Sequence, residues 1–79
     1  MSKLKVMDFY ADWCQPCKQF APVFESVAVE NSEVEFQKIN VDSDPESSSK
    51  YGIRSIPTII FERDGEILMR KLVHYQKLS

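Results

Sequence analysis

Between residues 4 and 41 the hydrophobic pattern passes from a near-continuous apolar run to a stripe recurring every three or four residues and back again, and this alternation restricts the fold more than any other feature of the chain. Residues 4–10, Leu-Lys-Val-Met-Asp-Phe-Tyr, predict a strand buried on both faces for most of its length, with Asp8 as the odd member. From Cys14 to about Glu30, the residues Cys17, Phe20, Ala21, Phe24, Val27 and Ala28 trace one face of a helix, and Phe20, Phe24 and Val27 are assigned to the core. Asp12 is the expected cap before this helix and Asn31 the expected stop after it. Pro22 removes one backbone hydrogen bond, but the stripe continues past it, so the helix is expected to bend without ending. Val34 to Val41 predicts a second strand, which makes strand, helix and strand a right-handed parallel βαβ unit.

Asp44-Pro45 then pairs a cap with proline at a first helical position, and Gly52 closes a short helix that Ser47, Ser48 and Ser49 weaken. Residues 58–63 and 66–73 flank Asp64-Gly65, a dipeptide suited to the positive φ angles of a two-residue hairpin turn. The last six residues, His74 to Ser79, carry no regular pattern and are expected to fray. The predicted class is therefore α/β, a four-stranded mixed sheet with about two helices. A chain of 79 residues buries only about 60% of the surface exposed when unfolded, which leaves room for one domain, residues 1–79, with a modest core.

Ten basic residues stand against 12 acidic ones for a net charge of -2, and neither sign clusters beyond two, so nothing points to nucleic acid as a partner. No apolar run approaches the roughly 20 residues that span a bilayer, and Met1 to Val6 forms no signal-peptide core. No membrane association is expected, and a cytoplasmic location is the simplest reading.

The only two cysteines, Cys14 and Cys17, are three positions apart. A cross-link between them closes too small a loop to stabilise the chain much, and a disulfide-stapled domain would carry several cysteines, so the pair points to chemistry. Zinc needs about four ligands, and only His74 could join the two sulfurs without recruiting carboxylates, so no metal is expected. At the start of a helix that follows a strand, the first sulfur sits over unpaired N–H groups and the positive end of the helix dipole, which favours a thiolate. Cys17, one turn on and on the buried face, is the protected partner. Cys-x-x-Cys beside a βαβ pattern is a known mark of a redox site.

The stretch Val6-Met7-Asp8-Phe9-Tyr10-Ala11-Asp12-Trp13-Cys14-Gln15-Pro16-Cys17-Lys18 closely resembles the active-site segment of the thioredoxin family. Phe20-Ala21-Pro22 resembles the family's helix with its kinking proline, Lys38-Ile39-Asn40-Val41-Asp42 its following strand, and Tyr51-Gly52-Ile53-Arg54-Ser55-Ile56-Pro57-Thr58 its cis-proline loop. The resemblance runs from about residue 3 to residue 73 and implies a thioredoxin-like three-layer sandwich, reduced in extent. It implies a dithiol-disulfide oxidoreductase acting on protein disulfides, with Cys14 attacking to give a mixed disulfide and Cys17 resolving it. By the same similarity Asp8 accepts the proton of Cys17, its pKa raised by burial, with Lys38 on the neighbouring strand as its charge partner. Trp13, Gln15 and Pro16 would border the substrate, and Ile56 with a cis Pro57 would offer backbone groups to an extended segment. No organic cofactor is implied, and a reductase or small thiol would recharge the pair.

Gln15 stands where the family usually has glycine, so the reduction potential and direction of transfer are not inherited with the motif. Ser55 and His74 also replace common glycines near the docking surface. Against the family, the resemblance begins at the second strand and omits the first strand, first helix and terminal helix. Residues 34–41 are then expected to form a sheet edge and the face opposite the second helix to lose cover, giving marginal stability or self-association through the exposed edge. Two other functions fit the same residues: a non-catalytic interaction module using the Trp13 and Ile56-Pro57 surface, and an oxidant or isomerase of different redox poise.

Overall fold

The computed structural model describes residues 3–73. β1 (Lys5–Tyr10), α1 (Gln15–Glu30) and β2 (Glu35–Asn40) form the expected βαβ unit, followed by α2 (Pro45–Lys50) and the hairpin strands β3 (Thr58–Arg63) and β4 (Glu66–Leu72). The sheet order is β2-β1-β3-β4, with β1 parallel to β2 and antiparallel to β3, which pairs antiparallel with β4. β2 is an edge strand, as expected, and β4 is the other edge. Leu4, Val34 and Val41 fall just outside the strands, although Glu35 N–H still donates to the Leu4 carbonyl at 2.9 Å and Val41 N–H to that of Tyr10 at 2.8 Å.

Successive side chains of a strand point to opposite faces, so the two sets of residues on β1 found separate cores. Val6 packs with Phe24 of α1 and Ile59 of β3, supported by Phe20, Phe36 and Phe61. Met7 and Phe9 pack on the other face with Ile60, Tyr51, Ile53 and Ile56. Tyr51 caps α2, and its ring meets that of Phe9 at 5.6 Å between centroids. The two helices therefore lie on opposite faces of the sheet, in three layers.

Two expectations need correction. α1 runs through Pro22, but its N-cap is Cys14 and not Asp12, because the Cys14 sulfur itself accepts the N–H of Cys17. Val27 is 43% exposed and not core. It borders an apolar groove of about 410 Å³ between α1 and the β3–β4 hairpin, on the face opposite α2, where no element among the described residues covers that side of the helix.

α2 is short but well closed. The Asp44 carboxylate accepts from Ser47 N–H at 3.1 Å and Ser47 Oγ at 2.8 Å, so one of the weakening serines helps cap the helix. At its other end Gly52, with φ +63°, donates to Ser49, and Ile53 to Ser48, the paired bonds of a Schellman closure. That closure turns Ile53 into the core and launches the loop to Pro57. Asp64 and Gly65 both take positive φ, as the hairpin turn requires, and the β3–β4 register slips by one residue after Phe61, leaving Leu68 as the extra residue of a bulge.

Candidate active site

The site forms where β1 ends and α1 begins. After Tyr10 the chain turns, with Cys14 N–H bonded to the Ala11 carbonyl at 3.2 Å, and enters the helix at Gln15. Cys14 is joined to Cys17 by a disulfide with the Cα atoms 5.2 Å apart. The Cys17 backbone N–H points at the Cys14 sulfur at 3.2 Å, a hydrogen bond that would hold negative charge on that atom once the pair is reduced. Proline at the second helical position leaves this donor as one of the few N–H groups of the first turn free to do so. The oxidised form buries both sulfurs within the core that contains Ala11 and Ile56, so burial alone does not separate an open thiol from a closed one.

Asp8 is the expected buried acid. It is 1% exposed, and its Oδ1 has no hydrogen-bond partner among the described residues. Burial pushes its carboxyl up from 3.8 to about 6, while the Lys38 ammonium pulls in the opposite direction and wins back only part of the shift. Asp8 and Cys17 line one cavity of about 290 Å³, together with Tyr10, Asp12, Lys18 and Lys38. Lys38 is the direct strand neighbour of Asp8 in the β1–β2 register. Its ammonium nonetheless lies 3.5 Å from Glu25 of α1 and 5.0 Å over the Tyr10 ring, so Glu25 and not Asp8 is its ion-pair partner. The field of Lys38 reaches Asp8 without a bond to it.

Trp13 is 51% exposed beside the cysteines, and its indole N–H donates to the Asp42 carboxylate at 2.8 Å. Asp42 carries no role in the sequence reading. The two residues are 29 positions apart and meet only because parallel pairing brings the ends of β1 and β2 together. Gln15 is exposed and Pro16 half-buried at the start of α1. The Ile56–Pro57 peptide is cis, both side chains are buried, and the Pro57 carbonyl accepts from Val73 N–H at 3.2 Å. Ser55 is half-buried, with its carbonyl held by the Thr58 hydroxyl at 2.6 Å, whereas His74 lies outside the described residues. Cys14 and Pro57 lie at the end of the sheet where β1 finishes and β3 begins, and Asp8 and Lys38 lie two residues before the ends of β1 and β2.

Among the described residues no helix is long and apolar enough to cross a membrane. A family model described as Thioredoxin matches residues 1–78. The thioredoxin of Mycoplasmoides gallisepticum is 48% identical over 71 residues, which cover 90% of this chain and 71% of the relative. That of Rickettsia bellii is 43% identical over 75 residues, covering 94% of this chain and 71% of the relative. Among solved structures, the X-ray structure of Fasciola hepatica thioredoxin superposes with a TM-score of 0.86 at 43% identity, covering 89% of this chain and 67% of the other.

Proposed function

The chain belongs to the thioredoxin family and is a dithiol-disulfide oxidoreductase, and from that premise we propose that it reduces protein disulfides, with Cys14 as the attacking sulfur and Cys17 as the resolving one. The observation that carries this assignment is the helix cap: Cys14 receives the Cys17 N–H at the positive end of a 16-residue helix, and among the described residues no hydrogen-bond donor reaches the Cys17 sulfur. The Cys14 thiolate attacks one sulfur of the substrate disulfide, forming a mixed disulfide and releasing the other sulfur as a thiolate. Cys17 then gives up its proton and attacks the Cys14 sulfur, the mixed disulfide breaks, and the second substrate sulfur leaves. The substrate gains two electrons, and the Cys14–Cys17 disulfide is the oxidised product.

The proton of Cys17 needs an acceptor inside the fold. Asp8 shares its cavity, is poised at about 6, and has an oxygen without a partner. Those three properties support Asp8 as the base, directly or through water, and Lys38 as the charge that keeps the carboxyl from rising further. Trp13, Gln15, Pro16 and the Ile56–Pro57 turn border the substrate. With the Pro57 carbonyl engaged by Val73, pairing with an extended substrate segment falls first to the backbone of Ile56. A reductase or small thiol recharges the pair, and a cytoplasmic location suits a dithiol that must be kept reduced.

Single-turnover reduction of a disulfide-linked fluorescent peptide tests the assignment. Cys14→Ser should abolish the reaction, and Cys17→Ser should accumulate the mixed disulfide; trapping by Cys14→Ser in place of Cys17→Ser would reverse the roles. A midpoint potential near about -270 mV supports the reducing direction, whereas one near about -120 to -180 mV would make the protein an oxidant or isomerase.

A further inference from the structure

Beside the cis-proline turn, on the sheet face that carries α2, lies a concavity of about 300 Å³ lined by Gly52, Arg54, Ser55, Thr58, Arg70 and Leu72. Its two walls are tied to the turn. Thr58 follows Pro57 directly and bonds back to the Ser55 carbonyl, and the end of β4 is held to the Pro57 carbonyl through Val73. Thr58 pairs with Leu72 and Ile60 with Arg70 across the hairpin, which aims Leu72 and Arg70 to the same face as Thr58. Arg54 enters from the loop that leaves α2.

Both arginines are exposed, and neither has an ion-pair partner among the described residues, whose two salt bridges join Lys5 to Glu62 and Lys38 to Glu25. Among the described residues no acidic side chain lines the concavity. At the opposite end of the site the charges are mixed: Asp12 shares a cavity with Lys18 and Lys38, and Asp42 holds the Trp13 indole. In a chain of net charge -2, two unpaired guanidinium groups in one hollow are a local exception to the overall sign. Guanidinium presents planar paired donors that match a carboxylate.

We infer that Arg54 and Arg70 form a docking hollow for acidic side chains of the substrate protein, so that disulfides flanked on one side by Asp or Glu are preferred and threaded in one direction across the Ile56–Pro57 turn. This rests on the reading of the protein as a protein-disulfide reductant. An extended segment advances roughly 6.6 Å for every two residues, so an acidic side chain a few residues from the attacked cysteine reaches from the turn into the hollow. The carboxylate then meets Arg54 and Arg70, whereas in the reverse orientation it lies away from both.

The test compares peptide disulfides of identical core sequence whose flanks carry Glu, Gln or Lys, using the full chain and following kcat/KM at low and high salt. Two exposed charge pairs should give about a fivefold preference for the Glu peptide over the Gln peptide, which salt weakens. Arg54→Gln with Arg70→Gln should bring that ratio to about one, and Arg54→Glu with Arg70→Glu should turn the preference toward the Lys peptide. Because each readout is a ratio between peptides on one protein, a general loss of fold or of thiol chemistry cancels out of it. Equal rates on the Glu and Gln peptides, or a preference that survives both double substitutions, would overturn the inference. Failure to reduce any of the three peptides would instead remove the reductant reading and this proposal with it.

Discussion

Two carboxylates lie buried in neighbouring strands of the same sheet, and they are solved in opposite ways. Glu62 on β3 is 7% exposed and fully provided for: the Tyr51 hydroxyl donates to it at 2.8 Å and the Lys5 ammonium lies 3.7 Å away. Asp8 on β1 faces the other side, with an oxygen that has no partner among the described residues and a carboxyl pushed up to about 6. A satisfied buried charge ties elements together, here the end of α2 to β3. An unsatisfied one costs stability and persists where something else requires it. That difference marks Glu62 as architecture and supports the proposed role of Asp8 as the base.

The contrast can be broken most easily at the rate. Replacing Asp8 by Asn keeps the shape and removes the base, so resolution of a pre-formed mixed disulfide by Cys17 should slow by about a hundredfold, while the first attack by Cys14 changes little. Equal slowing of the two steps in stopped-flow traces would return Asp8 to a structural role. Glu62→Gln should leave both steps near their original rates.

Stability should move in opposite directions. The folded pKa of Asp8 lies above its unfolded value, so well below pH 3.8 both states are protonated and there is no penalty. As pH rises from 3.8 toward about 6 the unfolded chain ionises first and stability falls, and above that interval the deficit is constant. The shift corresponds to a deficit on the order of 3 kcal/mol, so Asp8→Asn should stabilise the oxidised protein in urea melts at pH 7.5 by about 2 to 3 kcal/mol and flatten its pH dependence between those limits. Glu62→Ala should destabilise by about 1 to 3 kcal/mol, because it strands the Tyr51 hydroxyl and Lys5, and Tyr51→Phe by about 1 kcal/mol. Were both carboxylates to prove stabilising, the comparison would fail.

The smallest effect is expected at Lys38. Its ammonium lowers the Asp8 pKa from across the strand pair, so Lys38→Met should move the acid limb of the resolution rate to higher pH while leaving its plateau nearly intact. Because Glu25 and Lys38 are largely solvent-facing, breaking their ion pair should change melting little.

How much of this was legible in the sequence differs between the two acids. Asp8 stands out as a charge inside an apolar run, and the helix after it, the cysteine spacing and the Asp64-Gly65 turn are local signals that the fold obeys. Glu62 sits next to Arg63 at the end of a strand and looks solvated until Tyr51 and Lys5 are brought to it by the sheet. The Trp13–Asp42 bond and the pairing of Lys38 with Glu25 are likewise products of strand register and helix packing, for which no short spacing exists. The bulge at Leu68 leaves no mark because an apolar residue reads alike on either side of a pleat. The cap moved from Asp12 to Cys14 because capping preferences are averages, and a sulfur in the right position accepts the N–H that an aspartate two residues earlier cannot reach.

The most direct test of Asp8 as the internal base is the pH profile of the resolving step, measured as the decay of a mixed disulfide on Cys14 in the otherwise unaltered protein and in Asp8→Asn. The unaltered protein should show a rate that rises with pH through an inflection near about 6 and then levels, and Asp8→Asn should lack that inflection. The same inflection in both proteins would contradict the assignment.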